Sequence, residues 1–461
     1  MVGAKNRVWT HSSVLALAGD ADPVQTVTEK ARGIVMEAIE AGWSGPPYDP
    51  FALADHLKIA VVARQDIPEA RTVPTKQGFL IEFNPNRPRN RVKYSICHEI
   101  AHTCFPDCAE RVRNRLTHEK MKGDDWQLET LCNIAAAEML MPIGSVPALA
   151  SGQLTIDAVI ESRKRHEVSA EAVLLRAVRL TAGQYSVFCA SRRPSDSGTS
   201  DQYLIDYAVS SRSWTSGTVR PGMVLPKDSI ARECIAIGFT AKGHEEWVAP
   251  VGKIRIECVG VPPYPNQTIP RVLGILAAQR QELVNLNDII YLDGDATQPR
   301  GNGQKIIAQL VNDRAFTWGG GLSFVARKKW PSVQQDFKSW AMNDRRNLRL
   351  GNVHFAQVDD NLGVASLIAQ HGYGPSPTPR IKYLHLKNCL EQLAVLAKQR
   401  SASIHLPRIG CGQAGGVWTI VSELIEDALC SRGVKVYVYD LPGAQIPQHP
   451  QTTLEFKTAG V

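Results

Sequence analysis

With 461 residues, 44% hydrophobic and 21% charged, the chain has a globular composition and room for about three domains, which excludes disordered, collagen-like and coiled-coil classes. The net charge is +7, and 18 Lys and Arg against 13 Asp and Glu between Leu286 and Gly443 put +5 of it in the last third, a bias that suits a phosphate-bearing ligand and falls short of a nucleic-acid footprint. No apolar run reaches the about 18 residues of a membrane span, the N-terminus lacks a signal-peptide core, and ten cysteines in so long a chain fit reduced thiols, so a cytoplasmic location without a membrane partner is expected.

In chain order, residues 1–23 read as a loose N-terminal segment. Pro23–Ala41 reads as a helix stopped at Gly42, and Pro50–Leu57 as a shorter one. Ile59–Val62 and Gly78–Phe83 read as strands bounded by Pro and Asn. Arg91–Phe105 is helical and ends before Pro106, and Asp124-Asp125 are placed to cap a helix over Trp126–Met141. From Gln184 to Val261 the pattern turns to alternation, with strands at Tyr185–Cys189, Tyr203–Tyr207 and Lys253–Cys258 and a polar loop over Arg193–Asp201. Pro262-Pro263-Tyr264-Pro265 marks a joint, and Arg271–Leu283 reads as a helix. From Ile289, strands and helices alternate through Ile306–Val311, Asn352–Val358, His385–Arg400, Ser403–Leu406, Ile420–Cys430 and Lys435–Tyr439, which means an α/β sheet with crossover helices. The expected division is 24–182 mainly helical, 183–261 β-rich, 262–285 connector, 286–443 α/β and 444–461 a polar tail.

The first chemical signal is His98-Glu99-Ile100-Ala101-His102. On a helix, positions i and i+4 share a face, so both imidazoles reach one ion, and Glu99, about 100° round, can hold a water beside it. A catalytic zinc needs a third protein ligand and an open position. Glu129, in the first turn of the Trp126–Met141 helix, is the candidate, with Cys132, Asn133 and Ala136 on its face and Ala135-Ala136-Ala137 small enough for close packing. Glu138 reads as structural and His118 as a loop histidine. Cys104 and Cys108 with His102 offer an alternative closed site, although Pro106 breaks the helix between them.

The run Lys93-Tyr94-Ser95-Ile96-Cys97-His98-Glu99-Ile100-Ala101-His102, followed by Glu129-Thr130-Leu131-Cys132-Asn133 and Ala136-Ala137-Glu138-Met139-Leu140-Met141-Pro142, resembles the ImmA/IrrE metallopeptidase family. Cys132 and Ala135 depart from that family's usual Ala and Phe. The resemblance spans about residues 24–180. It implies a mainly α zincin-like domain (α+β), with zinc held by His98, His102 and Glu129 and Glu99 as general base.

The last third carries a second constellation. Gly294-Asp295-Ala296-Thr297 follows a strand, Trp318-Gly319-Gly320-Gly321-Leu322 is one glycine loop, and Pro407-Arg408-Ile409-Gly410-Cys411-Gly412-Gln413-Ala414-Gly415-Gly416 lies between a strand and a helix. Such a loop offers backbone N–H groups and a helix dipole to phosphate. Together these motifs resemble the macrodomain, the ADP-ribose-binding α/β fold with a mixed central sheet, in its chromatin-remodeller subgroup. The resemblance assigns Asp295, with Ala296 beside it, to adenine. It assigns Gly319, Gly320, Gly321 and Leu322 to the distal ribose, and Gly410, Cys411, Gly412, Gln413, Ala414, Gly415 and Gly416 to the diphosphate. The Lys and Asp of the related terminal ADP-ribose glycohydrolase match Asp359 and Ala414 here, so binding without hydrolysis is expected.

The chain is thus expected to be a multidomain cytosolic zinc metallopeptidase, regulated or recruited by ADP-ribose or an ADP-ribosylated protein. Its substrate would be an unidentified protein, in a bacterial stress or defence response. An ADP-ribosyl hydrolase with the zinc domain as scaffold is the alternative.

Overall fold

The computed structural model describes residues 9–110, 113–114, 123–146, 153–181, 183–193, 202–247, 251–263, 268–278 and 289–443. His118, residues 194–201, residues 279–283 and the expected tail 444–461 lie outside them.

The first unit is helical around a small sheet. Asp22 accepts a hydrogen bond from the Gln25 amide and Pro23 fixes the first turn, which starts α2 (Pro23–Glu40). Asp49 and Pro50 do the same for α3 (Pro50–His56). The segment ahead of α2, expected to be loose, is anchored from Trp9 onward. Here α1 (Ser12–Ala18) buries Val14 and Leu17, the amides of Thr10 and His11 donate to Gln127 Oε1, and Ser13 Oγ donates to Asp107. The anchoring groups lie far along the chain, so no local pattern announces them.

β1 (Ala60–Ala63) pairs parallel with β3 (Gly78–Phe83), and β3 pairs antiparallel with β2 (Ala70–Thr75), a strand the sequence pattern did not announce. The short β4 (Arg113–Asn114) completes the order β1-β3-β2-β4. Behind the sheet α4 (Arg89–His102) lies against α5 (Asp125–Leu140), with Ala101, Ala135 and Ala136 fully buried between neighbours. Asp124 does stand at the N-cap of α5 but makes no capping bond; its carboxylate accepts from Thr10 Oγ1 instead. α6 (Ile156–His166) and α7 (Ala170–Leu180) follow, capped by Thr155 and Ser169.

The β-rich region is a five-stranded antiparallel sheet in the order β6-β5-β9-β8-β7. Its strands are β5 (Tyr185–Arg193), β6 (Gln202–Ser210), β7 (Thr240–Trp247), β8 (Gly252–Val261) and β9 (Arg271–Ala278). The expected helix from Arg271 is wrong over these residues. All eight of Arg271–Ala278 are buried, and β9 is the central strand between β5 and β8. One apolar core runs from Val14 through the helices into Val187, Val259, Leu273 and Ile275, so one face of this sheet closes the helical unit.

The last unit is a six-stranded sheet in the order β10-β15-β14-β11-β13-β12. β10 (Ile290–Asp293), β15 (Val436–Asp440), β14 (Ser403–Pro407), β11 (Lys305–Asn312) and β13 (Leu362–Gln370) run parallel, and β12 (Val353–Asp359) is antiparallel at one edge. One face packs under α10 (Tyr383–Arg400) and α11 (Trp418–Ala428). The other face carries α8 (Gly321–Lys329) and α9 (Pro331–Asn343), which with β13 were not anticipated. Met36 of α2 and Ile143 join the core of this unit, so it is docked on the helical unit. No helix among the described residues is long and apolar enough to cross a membrane.

Candidate functional site

The neighbouring helices α4 and α5 set the first site. His98 and His102 fall one turn apart on α4, their ring centroids 5.0 Å apart. Glu129, one turn into α5, brings Oε2 to 3.2 Å from His98 Nε2 and Oε1 to 3.9 Å from His102 Nε2. The opposite ring nitrogens face protein groups: His98 Nδ1 lies 3.0 Å from Asn133 Oδ1, and His102 Nδ1 lies 3.4 Å from Cys132 Sγ. Each imidazole therefore turns Nδ1 to a neighbour on α5 and Nε2 to Glu129. Two imidazole nitrogens and a carboxylate converging at this range make a donor set that fits a zinc ion. His98, Glu99, His102 and Glu129 are all buried. Asn133, which also accepts from Tyr94 Oη at 2.8 Å, lies at the exposed edge.

Glu99 sits on the same helix with its Oε2 accepting from Thr72 Oγ1 at 2.8 Å, while the same hydroxyl reaches the Glu99 carbonyl at 3.0 Å. Strand β2 thus clamps the residue expected to move the proton. Sequence reading missed Thr72 because its strand was missed, and Cys132, noted there only as a departure from the family's usual Ala, forms a metal-sized group with His98 and His102. Cys104 and Cys108 join no such group with His102 among the described residues. Glu138 joins an ion cluster with Arg32 and Arg176.

The second site forms at one end of the parallel sheet. β10, β11 and β14 run the same way, so the loops leaving their C-terminal ends emerge together, where open α/β sheets take ligands. The first loop holds Asp295, whose carboxylate accepts from the Thr297 amide and from Thr297 Oγ1, both at 2.8 Å; Ala296 is buried beneath it. The second loop runs through buried Trp318 to Gly319, Gly320 at the N-cap of α8, Gly321 and Leu322. The third runs from Gly410 to Gly416. A Cβ on Gly320 would meet Gln413 at 3.1 Å, so the two glycine loops close on each other.

The third loop is braced from inside. Gly416 N–H donates to the Gly410 carbonyl, Gly415 N–H to the Gly412 carbonyl, and the amides of Arg380 and Ile381 to the Ala414 carbonyl. Gly410 has φ +76°, and a Cβ there would lie 2.5 Å from Ile381 Cδ1, so only glycine fits. Among the described residues, the amides of Gly412, Gln413 and Ala414 have no protein acceptor, and they sit ahead of the N-terminus of α11. Consecutive amides of this kind, with a helix dipole behind them, suit an anion. Arg408 is not part of that cradle: it forms two hydrogen bonds to Asp440, at 2.7 and 2.9 Å, and lies over the rings of Tyr291 and Trp418. The loop's one thiol, Cys411, is pushed up to about 12 by burial and so stays protonated.

No family model matches the chain. A macrodomain protein from Streptomyces coelicolor is 39% identical over 99% of its own length and 33% of this chain, with a TM-score of 0.30. Chromodomain-helicase-DNA-binding protein 1-like of Mus musculus is 30% identical over 169 residues, 35% of this chain and 19% of that protein. The radiation response metalloprotease IrrE of Deinococcus radiodurans is 28% identical over 206 residues, 42% of this chain and 62% of that protein. The chain spans only 19% and 15% of the length of the chromodomain-helicase relatives from mouse and Danio rerio. Through about a third of its length the chain is similar to macrodomain proteins. Its other matched stretch is similar to the IrrE metalloprotease, so both resemblances read from the motifs recur in whole-protein comparison.

Proposed function

We propose that the chain is a zinc-dependent metallopeptidase whose action on a protein substrate is regulated or directed by ADP-ribose, or an ADP-ribosylated protein, held in its macrodomain. The observation that carries the reading is the placement of Glu129 between His98 and His102, with Glu99 alongside and clamped by Thr72. His98, His102 and Glu129 would hold the ion. Bound zinc supplies a Lewis acid and makes water acidic enough to attack near neutral pH. Glu99 takes the proton of the attacking water and passes it to the leaving amine nitrogen, so no covalent acyl intermediate is needed. Thr72 aims the Glu99 carboxylate, and Asn133 and Cys132 keep the two imidazoles in the ligating orientation.

In the macrodomain, Asp295 would meet the adenine, the Gly319–Leu322 loop the distal ribose, and the amides of Gly412, Gln413 and Ala414 the diphosphate. Ala414 supplies no acid where a glycohydrolase carries one, and the half-buried, protonated Cys411 is no nucleophile, which supports binding over hydrolysis. Relatives include the ADP-ribose 1''-phosphate phosphatase of Lodderomyces elongisporus and a Thermosipho africanus protein solved with ADP-ribose, which fits this ligand class. A stress or defence role in the bacterial cytoplasm is part of the proposal. Elemental analysis of the purified chain and of Glu129→Ala, with calorimetric titration of ADP-ribose, tests both halves. About one zinc per chain and saturable ADP-ribose heat support the reading; absence of either removes that half.

A further inference from the structure

The helix that follows the late glycine loop is tied by buried charges to Arg32 of α2 and Arg176 of α7, which also hold Glu138 of α5. Glu423, on the helix that starts directly after that loop, accepts a hydrogen bond from the Gly144 amide at 2.6 Å. Its Oε1 lies 3.8 Å from Arg32 Nη2 and 3.8 Å from Arg176 Nη2. The same two arginines hold Glu138, with Arg32 Nε at 3.2 Å and Arg176 Nη1 closer still. Glu138 sits on α5, the helix that presents Glu129 to the histidines. Arg32 also pairs with Asp427, one turn beyond Glu423.

A second tie reaches the loop from its other side. Glu40, at the end of α2, accepts from the Tyr383 amide at 2.7 Å and pairs with Lys382 at 3.0 Å. The preceding residues Arg380 and Ile381 donate to the Ala414 carbonyl, and Tyr383 Oη accepts from the Val417 amide at 2.8 Å. Helix α2 therefore grips both the brace of the diphosphate loop, through Glu40, and the metal helix, through Arg32.

The cluster has slack. Among the described residues, Glu423 Oε1 and Arg176 Nη2 are buried without a hydrogen bond. At 3.8 Å apart they stand just outside bonding range, so a shift of under about 1 Å closes them. A buried ion cluster that so short a shift would reset is the kind of element through which two sites could exchange free energy.

We infer that Glu423 is a positioning residue that couples occupancy of the late glycine loop to the setting of Glu129 at the metal, through Arg32, Arg176 and Glu138. The inference rests on the proposed zinc and ADP-ribose sites. A ligand drawing the Gly412–Ala414 amides toward its diphosphate pulls on the start of α11. Glu423 then changes its hold on the arginines, and α5 answers through Glu138. Coupling of this type must be reciprocal: zinc must change ADP-ribose affinity by the factor by which ADP-ribose changes zinc affinity.

The test uses the full chain and equilibrium binding. Zinc affinity is measured by competition with a chromophoric chelator, with and without saturating ADP-ribose, and ADP-ribose affinity by calorimetry, with and without zinc. The expected result is one shared factor within about 5–150-fold. In Glu423→Gln that factor falls to one while each ligand alone still binds. If Glu423→Gln does not fold by thermal melt, Glu138→Gln, which weakens the hold of the same two arginines on α5, carries the test and should shrink the factor. Two ligands that bind the natural chain independently overturn the inference and leave recruitment by ADP-ribose standing. A factor unchanged in a folded Glu423→Gln, or in Glu138→Gln when that variant carries the test, also overturns it. Failure of zinc or ADP-ribose to bind at all overturns the functional reading beneath it, which is a different and recognisable result.

Discussion

Glu129 Oε2 stands 3.2 Å from His98 Nε2, a carboxylate of α5 set against an imidazole of α4. Left without a cation, a buried carboxylate and two imidazoles pay a heavy desolvation cost, and an ion shared between them offsets it. The small residues Ala101, Ala135 and Ala136 let the helices approach closely enough for the contact.

Removing that carboxylate should remove the metal. Glu129→Ala is expected to lower zinc occupancy strongly, because two histidines rarely hold zinc alone. Glu99→Gln should keep full zinc and lose peptide hydrolysis. Elemental analysis separates the two, and full zinc in a His98→Ala/His102→Ala double variant would refute the assignment.

In the macrodomain, ADP-ribose should bind more tightly than AMP, since only its diphosphate and distal ribose span both glycine loops. Asp295→Ala should weaken binding by about 1–3 kcal/mol, the range for leaving a buried partner unpaired. Asp295 also holds the Thr297 amide and hydroxyl, so Asp295→Asn is the cleaner variant. Gly412→Glu, which places a carboxylate in the amide cradle, should abolish binding and spare zinc. Calorimetry that returns equal affinities for ADP-ribose and AMP contradicts the loop assignments.

The candidate metal-site helices and the glycine loops were legible in the sequence because their signals are local: i and i+4 spacing on α4, a carboxylate in the first turn of α5, and glycine runs beside apolar strands. What was illegible has physical reasons. β9 reads Val272-Leu273-Gly274-Ile275-Leu276-Ala277-Ala278 without alternation, because a strand buried on both faces needs none, and such a run mimics a helix. α1 is short and held by Gln127 and Asp107, contacts no local window contains. Glu138 was legible as structural, but its partners Arg32 and Arg176, and Glu423 across the seam, meet only in the folded chain. Thr72 was lost with its strand.

The seam should be sensitive to added bulk. Gly144 has φ +76°, and a Cβ there would lie 2.6 Å from the Ile420 amide nitrogen. Gly144→Ala is expected to destabilise the chain by about 1–3 kcal/mol through backbone strain and overpacking. Chemical denaturation should show it; an unchanged midpoint would mean that the macrodomain is not docked on the helices as described.

Stability should also carry a histidine's signature. Burial first, and Lys305 second, hold His405 down at about 4 against an ordinary value of 6.5. The folded state therefore takes up this proton later than the unfolded chain does. Its contribution is whole above about pH 6.5 and is lost as pH falls toward 4, amounting to about 3 kcal/mol over that window. His405→Gln should flatten this part of the stability profile relative to the natural chain, as read by denaturation midpoints between pH 4 and 7. Parallel profiles for the two proteins would contradict the assignment.

The central claim is that the Glu99 site cuts protein and answers to ADP-ribose. Its most direct test is a census of new protein N-termini in cells carrying the intact chain or Glu99→Gln, each with and without induced ADP-ribosylation. The account predicts a set of new N-termini that requires Glu99 and changes in abundance with ADP-ribosylation. Identical N-terminal sets from the intact chain and Glu99→Gln would contradict it.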